Sequence, residues 1–385
     1  MSRVRCLQCN QTENIRKAGI IRGKQRFYCK TCSYHFTEDK IEKVKNIGPN
    51  VTDKQVSLSD IANASGFSIA TVSRALNEKS DISVKTRELI KVLAEKMNYQ
   101  PNLLAKSFVK QSTKTLGVII PSLDTTIFST MLSGIQEMAA SSGYRIIICT
   151  SNEMYEQESA NIQALMNNMI DGLLICHSIQ TNSFEHLSIH VNKRIPIVQF
   201  YKVALGLSIS QVLASDERGA LEVTEYLIKK GCRKIAVLLG PKEFSLSQSR
   251  LKGYKIALKK HEINFDERLL TYVDFGQESV YRSVDYWLTY FPDVDAIISI
   301  SDKSAAQIIT KLKSINIKVP NQIRVVGFGN EFVGEILDPK LTTFDTQTKM
   351  IGKEASRLIL DQISSGKREI KKLVIPGKLI VRDSA

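Results

Sequence analysis

An α/β fold with two similar lobes is predicted for most of this 385-residue chain, preceded by a small all-α unit and a cysteine-rich module. Three observations predict it. From Thr115 onward, short apolar runs (116–121, 145–149, 172–176, 196–200, 234–239, 296–299 and 324–328) alternate with amphipathic helical stretches, the pattern of parallel sheets covered on both faces. About 270 residues of this exceeds one ordinary core, so two lobes with a cleft between them are expected. Ahead of it stand three short helical segments from Ser57 to Met97, and ahead of those two C-x-x-C pairs.

Charge divides the chain the same way. Residues 1–110 hold 20 Lys and Arg against 10 Asp and Glu, and the remainder 33 against 29. A basic excess concentrated at one end marks a polyanion site there. Nucleic acid is the expected partner, because no lipidation signal and no apolar run of about eighteen residues favours a membrane. Seven cysteines and a start without an apolar leader predict a reduced, cytoplasmic protein. Cys149, Cys176 and Cys232 sit in or beside apolar segments and read as small buried hydrophobes.

Residues 1–45 are too poor in apolar runs to build a core without a staple. Cys6, Cys9, Cys29 and Cys32 supply one: nineteen residues separate the two knuckles, inside the window for a four-thiolate structural Zn2+ site. Arg16, Lys17, Arg22, Lys24, Arg26 and Lys30 are available to phosphates. The stretch 5–37, with Gly23-Lys-Gln-Arg-Phe-Tyr-Cys-Lys-Thr-Cys32 and Phe36-Thr37, resembles the zinc ribbon of some insertion-sequence transposases. Residues 46–56 are polar with Gly and Pro, and read as a linker.

From Ser57 the chain reads as helix, turn, helix. Ser57 and Ser83 are placed to cap, and Gly66 supplies a permissive turn backbone. In such a unit the second helix enters the major groove, which puts Ser68, Ile69, Ala70, Thr71, Ser73 and Arg74 on its surface, with Val72 and Leu76 inward. Arg74 suits a guanine edge or a phosphate, and Ile69 and Ala70 suit a thymine methyl.

Val56-Ser-Leu-Ser-Asp-Ile-Ala-Asn-Ala-Ser-Gly-Phe-Ser-Ile-Ala-Thr-Val-Ser-Arg-Ala-Leu-Asn77, Asn98-Tyr-Gln-Pro-Asn102, Thr115-Leu-Gly-Val-Ile-Ile-Pro121, Asp171-Gly-Leu-Leu-Ile175 and Leu379-Ile-Val-Arg-Asp-Ser384 together resemble the lac/galactose repressor family over about 330 residues. The resemblance implies a homodimeric, non-enzymatic transcription regulator, mostly of the repressor kind, that binds a pseudo-palindromic duplex. It places base reading on Ile69, Ala70 and Arg74, and backbone contacts on Ser57, Ser68, Thr71, Ser73 and Asn77. It also implies a hinge helix within 101–114, contributing Asn102 and Ala105, with Phe108 where the family usually has leucine as a minor-groove wedge.

For the remainder the resemblance implies a periplasmic-binding-protein-like core, with one lobe near 115–213 and 344–366, the other near 214–343 and 367–385, and a sugar or related metabolite between them. The matching effector positions are Asp124, Phe128, Tyr201, Arg250, Phe275 and Asp302. Tyr201-Lys202 stands where the family has Asp-Arg, Ser301 where it has Asn, and Gly329 where many members have Asp. Fewer carboxylates mean fewer hydroxyl acceptors, which admits an acidic sugar. A protein corepressor is the alternative effector, and a transposition accessory role the alternative function. Gly327-Phe-Gly-Asn fails the dinucleotide pattern at Phe332, and no nucleophile elbow, Ser/His/Asp set or acidic metal cluster is legible.

Overall fold

The computed structural model describes residues 4–385 except 5, 7, 10, 22–23, 38–55, 101–111, 182–183, 192–194, 205, 243 and 275. Most of the predicted linker, the hinge residues Asn102, Ala105 and Phe108, and Phe275 therefore lie outside the described residues.

The front module is a three-stranded antiparallel sheet, β1 (Ile15–Ile21), β2 (Lys24–Cys29) and β3 (Tyr34–Thr37), paired in that order. Its core is Phe27 and Phe36 with Cys6 and Cys29, too little apolar material to fold such a sheet alone. Three helices follow, α1 (Leu58–Ser65), α2 (Ile69–Leu76) and α3 (Val84–Lys96). Ile61, Val72, Ala75 and Ile90 form their buried centre. Ser57, Ser68 and Ser83 each cap one of the three by accepting a backbone N–H, and Gly66 ends α1 at φ +72°. That left-handed turn is where a side chain would cost most and glycine costs least.

The first large sheet runs β14-β8-β7-β6-β4-β5. Chain order gives β4 (Thr115–Ile120), α4 (Thr126–Ser141), β5 (Arg145–Thr150), α5 (Tyr155–Asn167), β6 (Gly172–Ile175), α6 (Glu185–Val191), β7 (Ile197–Phe200) and β8 (Ser210–Ala214). The chain then crosses into a second sheet through α7 (Asp216–Lys229), β9 (Ile235–Leu239), α8 (Ser245–Lys260), β10 (Leu270–Tyr272), α9 (Gln277–Tyr290), β11 (Ala296–Ile298), α10 (Asp302–Ser314), β12 (Arg324–Phe328), α11 (Val333–Ile336) and β13 (Thr342–Asp345). It returns through α12 (Thr348–Ser365) and β14 (Lys372–Ile375), then crosses a third time to β15 (Lys378–Ile380). The second sheet is β10-β9-β11-β12-β13-β15, with β15 its antiparallel edge.

One boundary differs from the sequence division, which gives all of 367–385 to the second lobe. Strand β14 pairs in parallel with β8 of the first sheet, so the third crossover falls at 376–377 and only the last residues belong to the second. Helix α12 packs on α4 at a glycine contact: a Cβ on Gly352 would lie 2.0 Å from the Met131 carbonyl oxygen, and one on Gly134 2.2 Å from that of Lys349. Those two positions let the backbones meet, which seats the second crossover against the start of the first lobe.

Candidate DNA-reading face and effector cleft

In the front module the four thiols converge. Sγ of Cys6 lies 3.5 Å from that of Cys32, Cys9 is equally far from Cys29, and all four fall within 4.8 Å of one another. Burial alone would raise the Cys29 thiol, yet it is held down to about 6 by the backbone amides of Cys32 and Thr31 and its neighbour Cys9. Cys32 is pushed up by burial and the three other sulfurs to about 12, against the backbone amide of Tyr34. Four sulfurs this close together form a donor set that a cation would hold. His35 is exposed and packs on the Tyr28 ring at 4.6 Å, away from the sulfurs. Arg16, Lys17 and Lys30 are exposed and Arg26 is half-buried.

Helix α2 presents a surface unlike a core helix. Ser68, Ile69, Ala70, Arg74 and Asn77 are exposed, and Thr71 and Ser73 are half-buried. Ile69, 52% exposed on the first turn, has no packing role that would explain an isoleucine there. Ser68 Oγ accepts the Thr71 N–H at 3.1 Å, so that serine is tied to the helix start. Asn77 closes the helix by donating its side-chain amide to the Ser73 carbonyl at 2.8 Å. Arg74 reaches the Asp81 carboxylate at 2.9 Å, with both groups more than half exposed. Such a pair is worth little in water, so the guanidinium exchanges partners cheaply. Ser57 caps α1 in a reciprocal box with Asp60, whose carboxylate accepts the Ser57 N–H at 2.9 Å.

The predicted effector residues of the core have unequal settings. Asp124 is exposed, its N–H donating to Ser122 Oγ. Phe128, Tyr201, Arg250 and Asp302 are buried. Phe128 and Tyr201 meet edge to face at 6.3 Å, and Tyr201 has φ +61°. Arg250 donates from Nε to Asp216 Oδ1 at 2.8 Å and from Nη1 to the Ile300 carbonyl, and lies 4.0 Å over the Phe328 ring. Its Nη2 is 2.7 Å from the same Asp216 oxygen but outside hydrogen-bonding geometry, which leaves a buried donor without a protein acceptor. Burial raises Asp216, and Arg250 opposes that rise. Asp302 accepts from Thr343 Oγ1 at 2.6 Å and the Glu331 N–H at 2.7 Å, and burial pushes it up to about 6. Ser301, not Asp302, caps α10.

Two partners in this region were not legible in sequence. Lys202 pairs with Glu153 at 2.7 Å and stands over the rings of Phe128 and Phe244, at 5.5 and 5.2 Å. Asp216 neutralises Arg250 from the helix that begins at the first crossover. Thr125, Ser245, Ser247 and Thr346, each following the carboxyl end of a strand, bury hydroxyl oxygens without partners. A cavity of about 340 Å³ is lined by the chain neighbours of Thr125 and Thr346, namely Thr126, Ile127, Asp345 and Gln347, together with Asn330 and Glu331, among others.

Among known proteins, a family model described as bacterial regulatory proteins of the lacI family matches residues 57–102, and one described as periplasmic binding proteins and sugar binding domain of the LacI family matches 113–383. The chain is 28% identical to the ribose operon repressor of Halalkalibacterium halodurans over 327 residues, 85% of this chain and 96% of that protein. It is equally similar to the transcriptional regulator DegA of Bacillus subtilis, over 86% and 98%. Its fold matches the lac repressor dimer bound to operator and an anti-inducer with a TM-score of 0.76 at 23% identity, covering 86% of this chain and 99% of that one. A complex of the regulator CelR with cellobiose matches at 0.66 and 25%, covering 86% and 100%.

Proposed function

Since this chain belongs to the lacI family of bacterial regulatory proteins, and is thus a non-enzymatic DNA-binding repressor with an effector-binding core, we propose how its own residues carry out that work. Two copies bind a pseudo-palindromic operator, each laying α2 into the major groove. The observation that carries this is the exposed first turn of α2, where Ile69 and Ala70 stand clear of the core beside a replaceable Arg74 pair. Ile69 and Ala70 contact thymine methyls and Arg74 reads guanine or a phosphate. Ser57, Ser68, Thr71, Ser73 and Asn77 hold the backbone, and Asn102, Ala105 and Phe108 enter the minor groove once the two subunits meet.

The second copy pairs along β5. That strand is the outer edge of the first sheet, yet Ile147 and Ile148 are 40% and 42% exposed. An uncovered apolar edge strand is a liability unless a partner covers it. A relative in this family has been crystallised as a dimer on operator, which supports the pairing of two copies.

A small polar metabolite binds between the lobes, contacted by Asp124, Phe128, Tyr201, Arg250, Phe275 and Asp302. The Nη2 of Arg250, ion-paired with Asp216 but making no hydrogen bond, and the orphaned hydroxyls after the strand ends are the donors and acceptors it would satisfy, since buried polar atoms ordinarily have partners. Its binding shifts operator affinity because it favours one lobe arrangement over another. A relative's complex with cellobiose supports a sugar or sugar derivative.

The four cysteines hold one structural Zn2+. Sulfurs on a tetrahedral zinc lie about 3.8 Å apart, and the 3.5 Å contacts need only a small expansion to fit. The zinc ribbon's basic residues add phosphate contacts, and the protein works in the cytoplasm, a reading that its seven free cysteines support; among the described residues no helix is long and apolar enough to cross a membrane.

Fluorescence anisotropy on an operator fragment, repeated with a panel of sugars, sugar acids and sugar phosphates, tests the coupling. At least one class should move the dissociation constant roughly 5- to 150-fold. If none does, while a cytoplasmic protein fraction does, the corepressor is a protein and the small-molecule assignment fails.

A further inference from the structure

A second cluster of potential metal ligands lies wholly inside the first lobe. Glu158 on α5, His177 directly after β6 and His186 on α6 bring one ligand atom each within 4.8 Å of one another. Glu158 and His177 are essentially inaccessible and His186 is buried. Glu158 Oε1 lies 2.8 Å from His177 Nδ1 and 2.9 Å from His186 Nε2. Its other oxygen accepts from the Ser178 N–H at 2.6 Å, Ser178 Oγ at 2.7 Å and Thr181 Oγ1 at 3.1 Å.

The hydrogen-bond directions call for one cation between Glu158 and His177. Gln199 is oriented by the backbone of Ala204: its Oε1 accepts the Ala204 N–H at 2.6 Å, and its Nε2 faces the Ala204 carbonyl. That oxygen also faces His177 Nε2 at 2.8 Å, so Nε2 must carry a hydrogen and donate it. The neutral ring then turns the lone pair of Nδ1 toward a carboxylate oxygen 2.8 Å away. Two lone pairs at that distance repel, so a cation must lie between them, either a proton on Nδ1 or a metal ion.

The surroundings favour a metal as the partner this site is built to take. A ligating histidine characteristically donates its other N–H to a fixed oxygen, which sets tautomer and ring angle, and Gln199 does this for His177. The Phe184 ring packs edge-on against His177 at 5.0 Å, and Tyr155 against His186 at 4.9 Å, fixing both rings. Two imidazoles and a carboxylate are the donor set of exchangeable zinc-class sites, which keep a fourth position open.

We propose that Glu158, His177 and His186 form a second divalent-metal site of the zinc class, separate from the cysteine cluster. Without a metal, a proton occupies the space between Glu158 Oε1 and His177 Nδ1. Uptake of M2+ forms bonds to Glu158 Oε1, His177 Nδ1 and His186 Nε2; that proton leaves to solvent, and the His186 proton moves from Nε2 to its unpartnered Nδ1. Ligand atoms on one tetrahedral ion lie about 3.3 Å apart, so the present contacts widen by about half an ångström. That movement has a route to the cleft. The loop carrying His177 and Ser178 donates the Ile179 N–H to Glu153 at 2.6 Å, and Glu153 holds Lys202 against Phe128 and Phe244.

Titration of metal-stripped, fully reduced full-length protein with Zn2+ tests this. Wild type should bind two equivalents. C6S/C9S should keep one, and H177Q and H186Q should each lose the second while keeping the cysteine-bound ion. Cobalt substitution reads the two sites apart, because only the cysteine cluster gives thiolate charge-transfer bands; this needs no variant to fold. A wild type that binds a single equivalent, abolished in C6S/C9S, overturns the proposal. So does a second equivalent undiminished in both histidine variants. A single equivalent insensitive to C6S/C9S but lost in H177Q supports this site and removes the zinc from the ribbon instead.

Discussion

The proposed α2 reading face and the proposed effector cleft handle their charged groups in opposite ways. On α2 the arginine is exposed and its acidic partner is equally exposed, so water stands ready to replace either. In the cleft Arg250, Asp216 and Asp302 are buried, and each leans on groups inside the protein. A surface that reads DNA must release its own contacts at little cost, because phosphates and base edges replace them. A cleft that transmits a signal must instead couple its ligand to the packing of two lobes, and groups already embedded in that packing do so.

This contrast predicts that like substitutions have unlike effects. Arg250→Ala strands Asp216 as a buried charge and should cost about 3–5 kcal/mol of stability in urea denaturation. Removing both partners together, Arg250→Met with Asp216→Leu, should recover most of that loss. The next largest effect concerns pH. Folded Asp302 keeps its proton up to about 6, whereas in an unfolded chain an aspartate loses it near about 3.9. The folded state therefore binds more protons in that window, and stability falls as pH rises from about 4 to 6, by about 2–3 kcal/mol from this group. Asp302→Asn should flatten that slope in denaturation curves taken across the range. Arg74→Ala should leave stability within about 0.5 kcal/mol but weaken operator binding by about 1–3 kcal/mol and relax one base position. If Arg74→Ala destabilised the fold as much as Arg250→Ala, the contrast would be broken. Ser68→Ala removes the α2 cap and should cost about 1 kcal/mol of stability, visible as a lower urea midpoint.

Sequence and structure agree most closely where periodicity and caps act locally. The seven apolar runs all became strands, and Ser57, Ser83 and Gly66 cap and turn the helices as their chemistry demands. The strands that escaped were of another kind. β8, β10, β13, β14 and β15 are short and mixed in polarity, and their pairing is fixed by crossovers distant in sequence. That also explains why β14 was assigned to the wrong lobe: Lys372-Leu-Val-Ile carries no mark of which sheet edge it joins. In the same way, no spacing rule brings Asp216 to Arg250 or Glu153 to Lys202, because 34 and 49 residues separate them. The cysteine cluster was legible because both its knuckles are local motifs, whereas Glu158, His177 and His186 are joined only by the fold.

Selection of bound duplexes from a random pool by full-length protein, at moderate ionic strength and with excess bulk competitor, tests most directly whether α2 reads sequence. An enriched motif of two inverted half-sites, with one position relaxed in Arg74→Ala and unchanged in Arg250→Lys, is the predicted result. A pool that stays random, with and without metabolites, would contradict it.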